Sequence, residues 1–286
     1  PRQRGLVQEH KDKGTLNPAD GIPHIYRRRA DGQGMLYAWF GAMHTRVDAA
    51  LISTESEDVL LETVAETRKR INSIETAANC FDPQSELSAV NRMAAERIMP
   101  VSRELESILR ECLRYNVMTD GLFDITVGSD GYDNRMVRDI ILPGDGTVVF
   151  RRRGLCINLS GFLKGYALEQ VRSIIIDSGV TGALINMGNS SIMAMGSPGG
   201  QNGWEVSFGS GNRSDTVTLC NQCLTTSGND SPARRHILNP ETGKLIEGCR
   251  SVSVLNRNAA EGEVLSTCLF INPERKYPAF GEYQSI

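Results

Sequence analysis

Apolar and polar positions divide the chain into a polar opening and a patterned remainder. Residues 1–34 carry Gly, Pro and charge without apolar periodicity, which predicts a flexible arm or leader remnant, with folded structure starting near Met35. The run Met35–Ser53 reads as strand. From Glu57 to Ala77, Val59, Leu60, Val64, Ile71 and Ile74 recur at helical spacing and predict a long amphipathic helix. A second helix is predicted over Ser102–Met118. There Ser102 can cap, Glu104 and Glu106 suit the positive helix start, and Leu105, Ile108, Leu109, Cys112 and Leu113 form one stripe.

Ile140–Leu142 and Thr147–Phe150 flank Pro143, Gly144, Asp145 and Gly146, a turn composition that predicts a hairpin. A third helix is predicted from about Phe162 to Ser178. Beyond it, Ala183–Asn186, Ser191–Met195, Trp204–Phe208, Thr216–Leu219 and Ser251–Leu255 are short strands separated by Gly, Asn and Ser clusters. Helices early and strands late predict an α+β fold over residues 35–286 in place of a doubly wound sheet, and no internal repeat is visible.

Composition narrows the classes of function. The 286 residues suffice for a substantial core, and a net charge of −3 without any long Lys/Arg block argues against a nucleic-acid partner. No apolar run approaches the roughly 20 residues that span a bilayer. The seven cysteines (Cys80, Cys112, Cys156, Cys220, Cys223, Cys249 and Cys268) are too sparse for a disulfide scaffold. Cys220 and Cys223 form a C-x-x-C, but no second pair stands at zinc-finger spacing and the pair follows a strand instead of opening a helix. No Walker A, G-x-G-x-x-G, H-E-x-x-H or G-x-S-x-G sequence is present. With four histidines, His10 and His24 among them in the predicted arm, a multi-histidine zinc site is not expected.

What remains is a series of polar, Gly-containing islands. The first is Phe81-Asp82-Pro83-Gln84-Ser85-Glu86-Leu87-Ser88-Ala89-Val90-Asn91, and the second Gly121-Leu122-Phe123-Asp124-Ile125-Thr126-Val127-Gly128. The third is Asn158-Leu159-Ser160-Gly161-Phe162-Leu163-Lys164-Gly165-Tyr166-Ala167. The fourth, His236-Ile237-Leu238-Asn239-Pro240-Glu241-Thr242-Gly243, follows Ser227-Gly228, and the fifth is Glu263-Val264-Leu265-Ser266-Thr267. In this order they resemble D-P-x-S-x-L-S-x-x-N, G-A-F-D-P-T-V-G, D-L-G-G-I-A-K-G-Y-A, H-I-x-D-P-x-T-G and D-A-L-S-T of the ApbE-like family, the FAD-dependent FMN transferases. Ala42-Met43-His44-Thr45 stands where that family has Met-Gly-Thr, so the resemblance spans about residues 42–267.

The resemblance implies a T-fold-related α+β architecture of antiparallel sheets with packed helices. It implies that FAD is split with the help of Mg²⁺, that FMN is joined through a phosphoester to a Thr or Ser of an acceptor flavoprotein, and that AMP is released. Met43, Phe81, Leu122, Phe123, Asp124, Asn158 and Lys164 match FAD-contacting positions. Glu263, Thr267 and the Gly161 carbonyl match the metal ligands, and His236 matches a group able to take the proton of the incoming hydroxyl. The resemblance implies the periplasmic face of the bacterial inner membrane, where the polar arm before Met35 suits a tether; the sequence does not show whether a leader or lipid anchor precedes Pro1.

Taken singly, these residues leave alternatives open. Glu263 and Thr267 are four apart, so on a helix they share a face and can hold one hard cation, or they are simply solvated. Lys164 meets phosphates beside a helix start or is a surface lysine. Phe81 stacks on a nucleotide ring or packs in the core, Leu122 and Phe123 line a pocket or the core, and His236 is a base or holds its loop. Arg234 and Arg235 assist phosphate or are solvated. Asn158 and Glu263 stand in place of Asp, Asn189 in place of Gly, and His44 in place of a small residue. Only 19 residues follow Thr267, fewer than the resemblance predicts. A flavin-binding module without transfer, or a Mg²⁺-dependent FAD hydrolase, are the other classes these residues allow.

Overall fold

The computed structural model describes residues 21–209, 215–229, 237–248 and 250–286. In chain order its elements are β1 (His24–Arg28), β2 (Gly34–Ala42), β3 (Thr45–Ser53), α1 (Glu57–Ala78), α2 (Glu86–Met93), β4 (Met99–Pro100), α3 (Arg103–Met118), β5 (Ile140–Ile141), β6 (Thr147–Phe150), α4 (Leu163–Asp177), β7 (Gly182–Met187), β8 (Ser191–Met195), β9 (Trp204–Phe208), β10 (Asp215–Leu219), β11 (Gln222–Asn229), β12 (Leu238–Asn239), β13 (Lys244–Leu245), β14 (Arg250–Asn256), α5 (Ala259–Ile271) and β15 (Gln284–Ser285). Eight strands form one antiparallel sheet in the order β1-β2-β3-β7-β8-β11-β14-β15. The fold is α+β, as the pattern predicts. No helix among the described residues is long and apolar enough to cross a membrane.

The strand period of two divides the sheet into two buried faces. Leu36, Ala38 and Phe40 of β2 and Val47, Ala49 and Leu51 of β3 join Leu60, Val64, Ile71 and Ile74 of α1 in the main core. Ala50 and Ile52 point the other way and pack with Ile192, Leu224 and Trp204 beneath the β9–β10 hairpin. Burial of each such Leu or Ile side chain contributes about 1.5–3 kcal/mol. Ser102 caps α3 as its sequence predicts, and three more of the five described α-helices start on a capping side chain: Ser56, Ser85, Ser102 and Asn258 accept from the amides of Val59, Ser88, Leu105 and Glu261.

The structure corrects the sequence reading in three places. Residues 21–34 are not an arm: β1 pairs with β2 from His24↔Ala38 to Arg28↔Gly34, and Ile22 is buried in the main core. The segment looked structureless because an edge strand with Arg27 and Arg28 exposed carries no apolar alternation. Residues 1–20, also assigned to the arm, lie outside the described residues. Strand β11 was missed because its run Cys223-Leu224-Thr225-Thr226-Ser227 is small and polar, although it is an interior strand between β8 and β14. Helix α2 was also missed, at eight residues too short for a clear period.

Candidate active site

The site is built where α4 and α5 touch. Asn158 Oδ1 accepts from the Ser160 amide at 2.9 Å, and the amides of Phe162 and Leu163 return to the Leu159 carbonyl at 2.9 and 3.1 Å. This turn carries Gly161 and delivers Lys164 into the first turn of α4. Gly165 comes next, and a Cβ there would lie 2.3 Å from the Ala259 carbonyl oxygen and 2.5 Å from Glu263 Cγ. Only a residue without a side chain lets the two helices approach this closely. Lys164 of α4 is thereby set against Glu263 of α5.

Glu263 is only 5% exposed, which overturns the reading of a solvated helix face. Ser191 Oγ–H donates to its Oε1, and the Gly165 amide and Lys164 ammonium also favour the ionised form. Burial outweighs all three and pushes the carboxyl up to about 7. Lys164 Nζ donates to Ser190 Oγ, which lies 3.4 Å from Ser191 Oγ. One turn further along α5, Thr267 Oγ1 is 3.1 Å from Ser227 Oγ, itself 2.8 Å from Ser266 Oγ. Buried Thr225 Oγ1 and both polar atoms of the Asn256 side chain have no hydrogen-bond partner among the described residues.

This donor set fits a hard divalent cation. It is all oxygen, one buried carboxyl with hydroxyls, and burial raises the Glu263 pKa because its protein neighbours offset only part of the cost of ionising it there. No group of three or more His, Cys, Asp or Glu placed for a metal ion occurs among the described residues, so an ion here depends on one carboxylate. Sites with few protein oxygens, whose remaining positions are left to water and phosphate, suit Mg²⁺ in general.

Two recesses meet at this point. The larger, about 470 Å³, is lined by Leu122, Phe123, Asp124, Asn158, Gly161, Lys164, Ser190, Ser227, Gly228, Glu263 and Thr267, among others. The smaller, about 90 Å³, is lined by Met43, His44, Glu75, Asn79, Cys80 and Phe81 and shares Ser160 and Lys164 with the larger. Met43 and His44 are the two central residues of the β2–β3 turn, between paired Ala42 and Thr45, and both have left-handed backbones at φ 50° and 56°. Such a turn favours Asn-Gly, and non-glycine residues hold it at a cost of about 1–3 kcal/mol each. The Met43 amide donates to Glu75 Oε2 at 2.7 Å, which ties the turn to α1.

The ApbE family model matches residues 43–130 and 131–285. The chain belongs to the ApbE family. It is 22% identical over 257 residues to a Vibrio cholerae FAD:protein FMN transferase, covering 77% of this chain and 76% of that one. It is 26% identical over 237 residues to a Rhodobacter capsulatus FAD:protein FMN transferase, covering 70% of this chain and 45% of that one. The solved structure of Pseudomonas stutzeri flavinyl transferase ApbE, apo form, superimposes with a TM-score of 0.72 at 16% identity, covering 84% of each chain.

In this ApbE chain the structure brings eight of the predicted site residues (Leu122, Phe123, Asp124, Asn158, Gly161, Lys164, Glu263 and Thr267) to the larger recess, and Met43 and Phe81 to the smaller. Phe81 is 66% exposed, so it is not core. Leu122 and Phe123 serve both as core and as wall. Asp124 lines the larger recess and is held from within the fold: Oδ1 accepts from the Thr126 amide at 2.7 Å and hydroxyl at 2.6 Å, and Oδ2 accepts from Tyr132 OH at 2.9 Å. Asn189, at φ 62°, adopts the left-handed turn conformation through two 2.8 Å hydrogen bonds with the Asn186 side chain. His236, Arg234, Arg235 and Cys249 lie outside the described residues. In the C-x-x-C, Cys220 is exposed and Cys223 is buried beside Glu169 and Arg172. Sequence reasoning missed Ser190, Ser191 and Tyr132; no motif marks a lone hydroxyl, and their roles come from partners far along the chain.

Proposed function

We propose that this chain is a Mg²⁺-dependent FAD:protein FMN transferase. The observation that carries the reading is the junction of the two recesses at Ser160 and Lys164. An extended dinucleotide laid across it has its ring systems in separate recesses and its pyrophosphate between Lys164 and the Glu263–Thr267 face. The names of the relatives in Vibrio cholerae and Rhodobacter capsulatus support the same activity.

The bond formed runs from an acceptor Thr or Ser hydroxyl to the phosphorus of the FMN half, and the bond broken is that phosphorus to the bridging oxygen that leaves with AMP. When bound, Mg²⁺ would supply charge neutralisation at the phosphate oxygens. Glu263, Thr267 and the Gly161 carbonyl are the residues that would hold it. Lys164 faces the phosphates with its ammonium, and the first amides of α4 add partial positive charge. Leu122 and Phe123 exclude water from one wall. The hydroxyl proton is assigned to His236 on its motif, and Ile237 and Leu238, which follow it, line the larger recess.

The test is incubation with FAD, Mg²⁺ and an acceptor domain bearing a Thr in a flavinylation-type sequence. Covalent flavin on the acceptor with stoichiometric AMP is the expected result. An unmodified acceptor with intact FAD refutes transfer, and free FMN with AMP in the absence of acceptor marks a hydrolase.

A further inference from the structure

His44 stands out in the smaller recess because the structure fixes which of its nitrogens carries the proton. The Phe81 amide donates to Asn79 Oδ1 at 2.9 Å, so the Asn79 amide group is oriented with its Nδ2 as the remaining donor. That Nδ2 lies 3.2 Å from His44 Nε2. Nε2 therefore takes the acceptor role in this pair, which leaves Nδ1 as the ring's donor. Among the described residues no protein acceptor takes up Nδ1–H. Asn79 is itself anchored, since its carbonyl accepts from Ser85 Oγ at 2.6 Å. The result is a relay in which His44, Asn79 and the Phe81 backbone hold one another, presenting the solvent-facing Nδ1 of His44 and the exposed aromatic face of Phe81 at one recess.

From this juxtaposition we infer that His44 is a specificity-determining residue for a heteroaromatic ring of the substrate. The ring stacks on Phe81 while an acceptor on its edge, a ring nitrogen or carbonyl, takes the His44 Nδ1 proton. The inference rests on the dinucleotide reading above and adds a residue to it. A flat ring with edge acceptors is the ligand chemistry that satisfies both groups at once. The strained left-handed backbone of His44, where glycine would sit without cost, fits a side chain held for contact and not for the turn. Either half of FAD supplies such a ring.

The experiment measures binding by titration calorimetry with FAD, AMP and FMN separately, in wild type and in His44→Gly, His44→Gln and Asn79→Ala. Glycine suits the turn, so His44→Gly is expected to fold at least as stably as wild type, which thermal melting checks. It is expected to bind FAD about 3- to 10-fold more weakly, the loss of one neutral hydrogen bond. Of AMP and FMN, the one weakened by the same factor identifies the ring at His44. His44→Gln, with an amide donor, restores part of the affinity. Asn79→Ala frees the imidazole to change tautomer and weakens binding without altering a side chain that touches the ring. Wild-type affinity for FAD in His44→Gly overturns the inference while leaving the transferase reading intact. Failure of wild type itself to bind FAD overturns both.

Discussion

The buried carboxyl of Glu263 should make stability fall as pH rises, and Glu263→Gln should remove that fall. Burial lifts its folded pKa from 4.5 to about 7. Between those values the native state keeps a proton that the unfolded chain releases, so unfolding free energy declines with pH across this window and levels off above about 7. The rise corresponds to about 3 kcal/mol at 1.36 kcal/mol per tenfold change in proton affinity. In the Gln variant this component is absent, because the amide remains neutral while still accepting from Ser191. The two proteins should be equally stable near pH 4.5, and the variant more stable by about 3 kcal/mol at pH 8. Urea unfolding followed by circular dichroism, in EDTA from pH 5 to 8, measures the difference, and the other titrating groups cancel in it. Saturating Mg²⁺ at pH 8 should raise wild type and leave the variant unchanged, since the ion prefers the ionised form. Parallel pH profiles for the two proteins would refute the reasoning, because the carboxyl would then be compensated without a cation. The variant should also lose FMN transfer.

Three further outcomes follow from single contacts. Gly165→Ala forces a methyl against the Ala259 carbonyl and Glu263 Cγ, so chemical denaturation should show a loss of at least about 2 kcal/mol, with weakened FAD binding in whatever remains folded. Tyr132→Phe removes the donor to Asp124 Oδ2 and a 3.4 Å contact to the Pro240 carbonyl. It should cost about 1–3 kcal/mol in thermal unfolding and raise KM for FAD more than it lowers kcat. Thr225→Val replaces a buried hydroxyl that has no partner among the described residues, and should leave stability unchanged or raise it by up to about 1 kcal/mol on the same measurement.

Much of this architecture was legible because local rules and tertiary packing agree. Ser102 caps α3 as its sequence suggests, and Ile140 pairs with Phe150 across the predicted hairpin. Glu263 and Thr267 fall on one helix, as their spacing required. What stayed hidden depends on distant partners. Nothing within Glu263-Val264-Leu265-Ser266-Thr267 indicates burial of the carboxylate; that comes from Gly165, almost a hundred residues earlier, which lets α4 close over it. The partners of Asp124 were equally hidden, because Tyr132, whose hydroxyl donates to one of its oxygens, carries no motif. Strand β1 was invisible because an edge strand with a polar outer face needs no alternation, and its single deeply buried residue, Ile22, lies just outside it.

The bare backbone contact at Gly165 also bears on how the site breathes. Helices joined without intervening side chains have little room to slide, so Lys164 and Glu263 are expected to move as one block with the sheet behind them. The turn at Met43–His44 and the Phe81 loop hang instead from one end of α1 by a few polar links. On the proposed dinucleotide reading, opening and closing is expected to concentrate at this end, and a bound FAD would act as a strut between a fixed abutment and a hinged one. Amide exchange should record this as protection gained around residues 43–45 and 79–82, with little change in the already rigid first turn of α4.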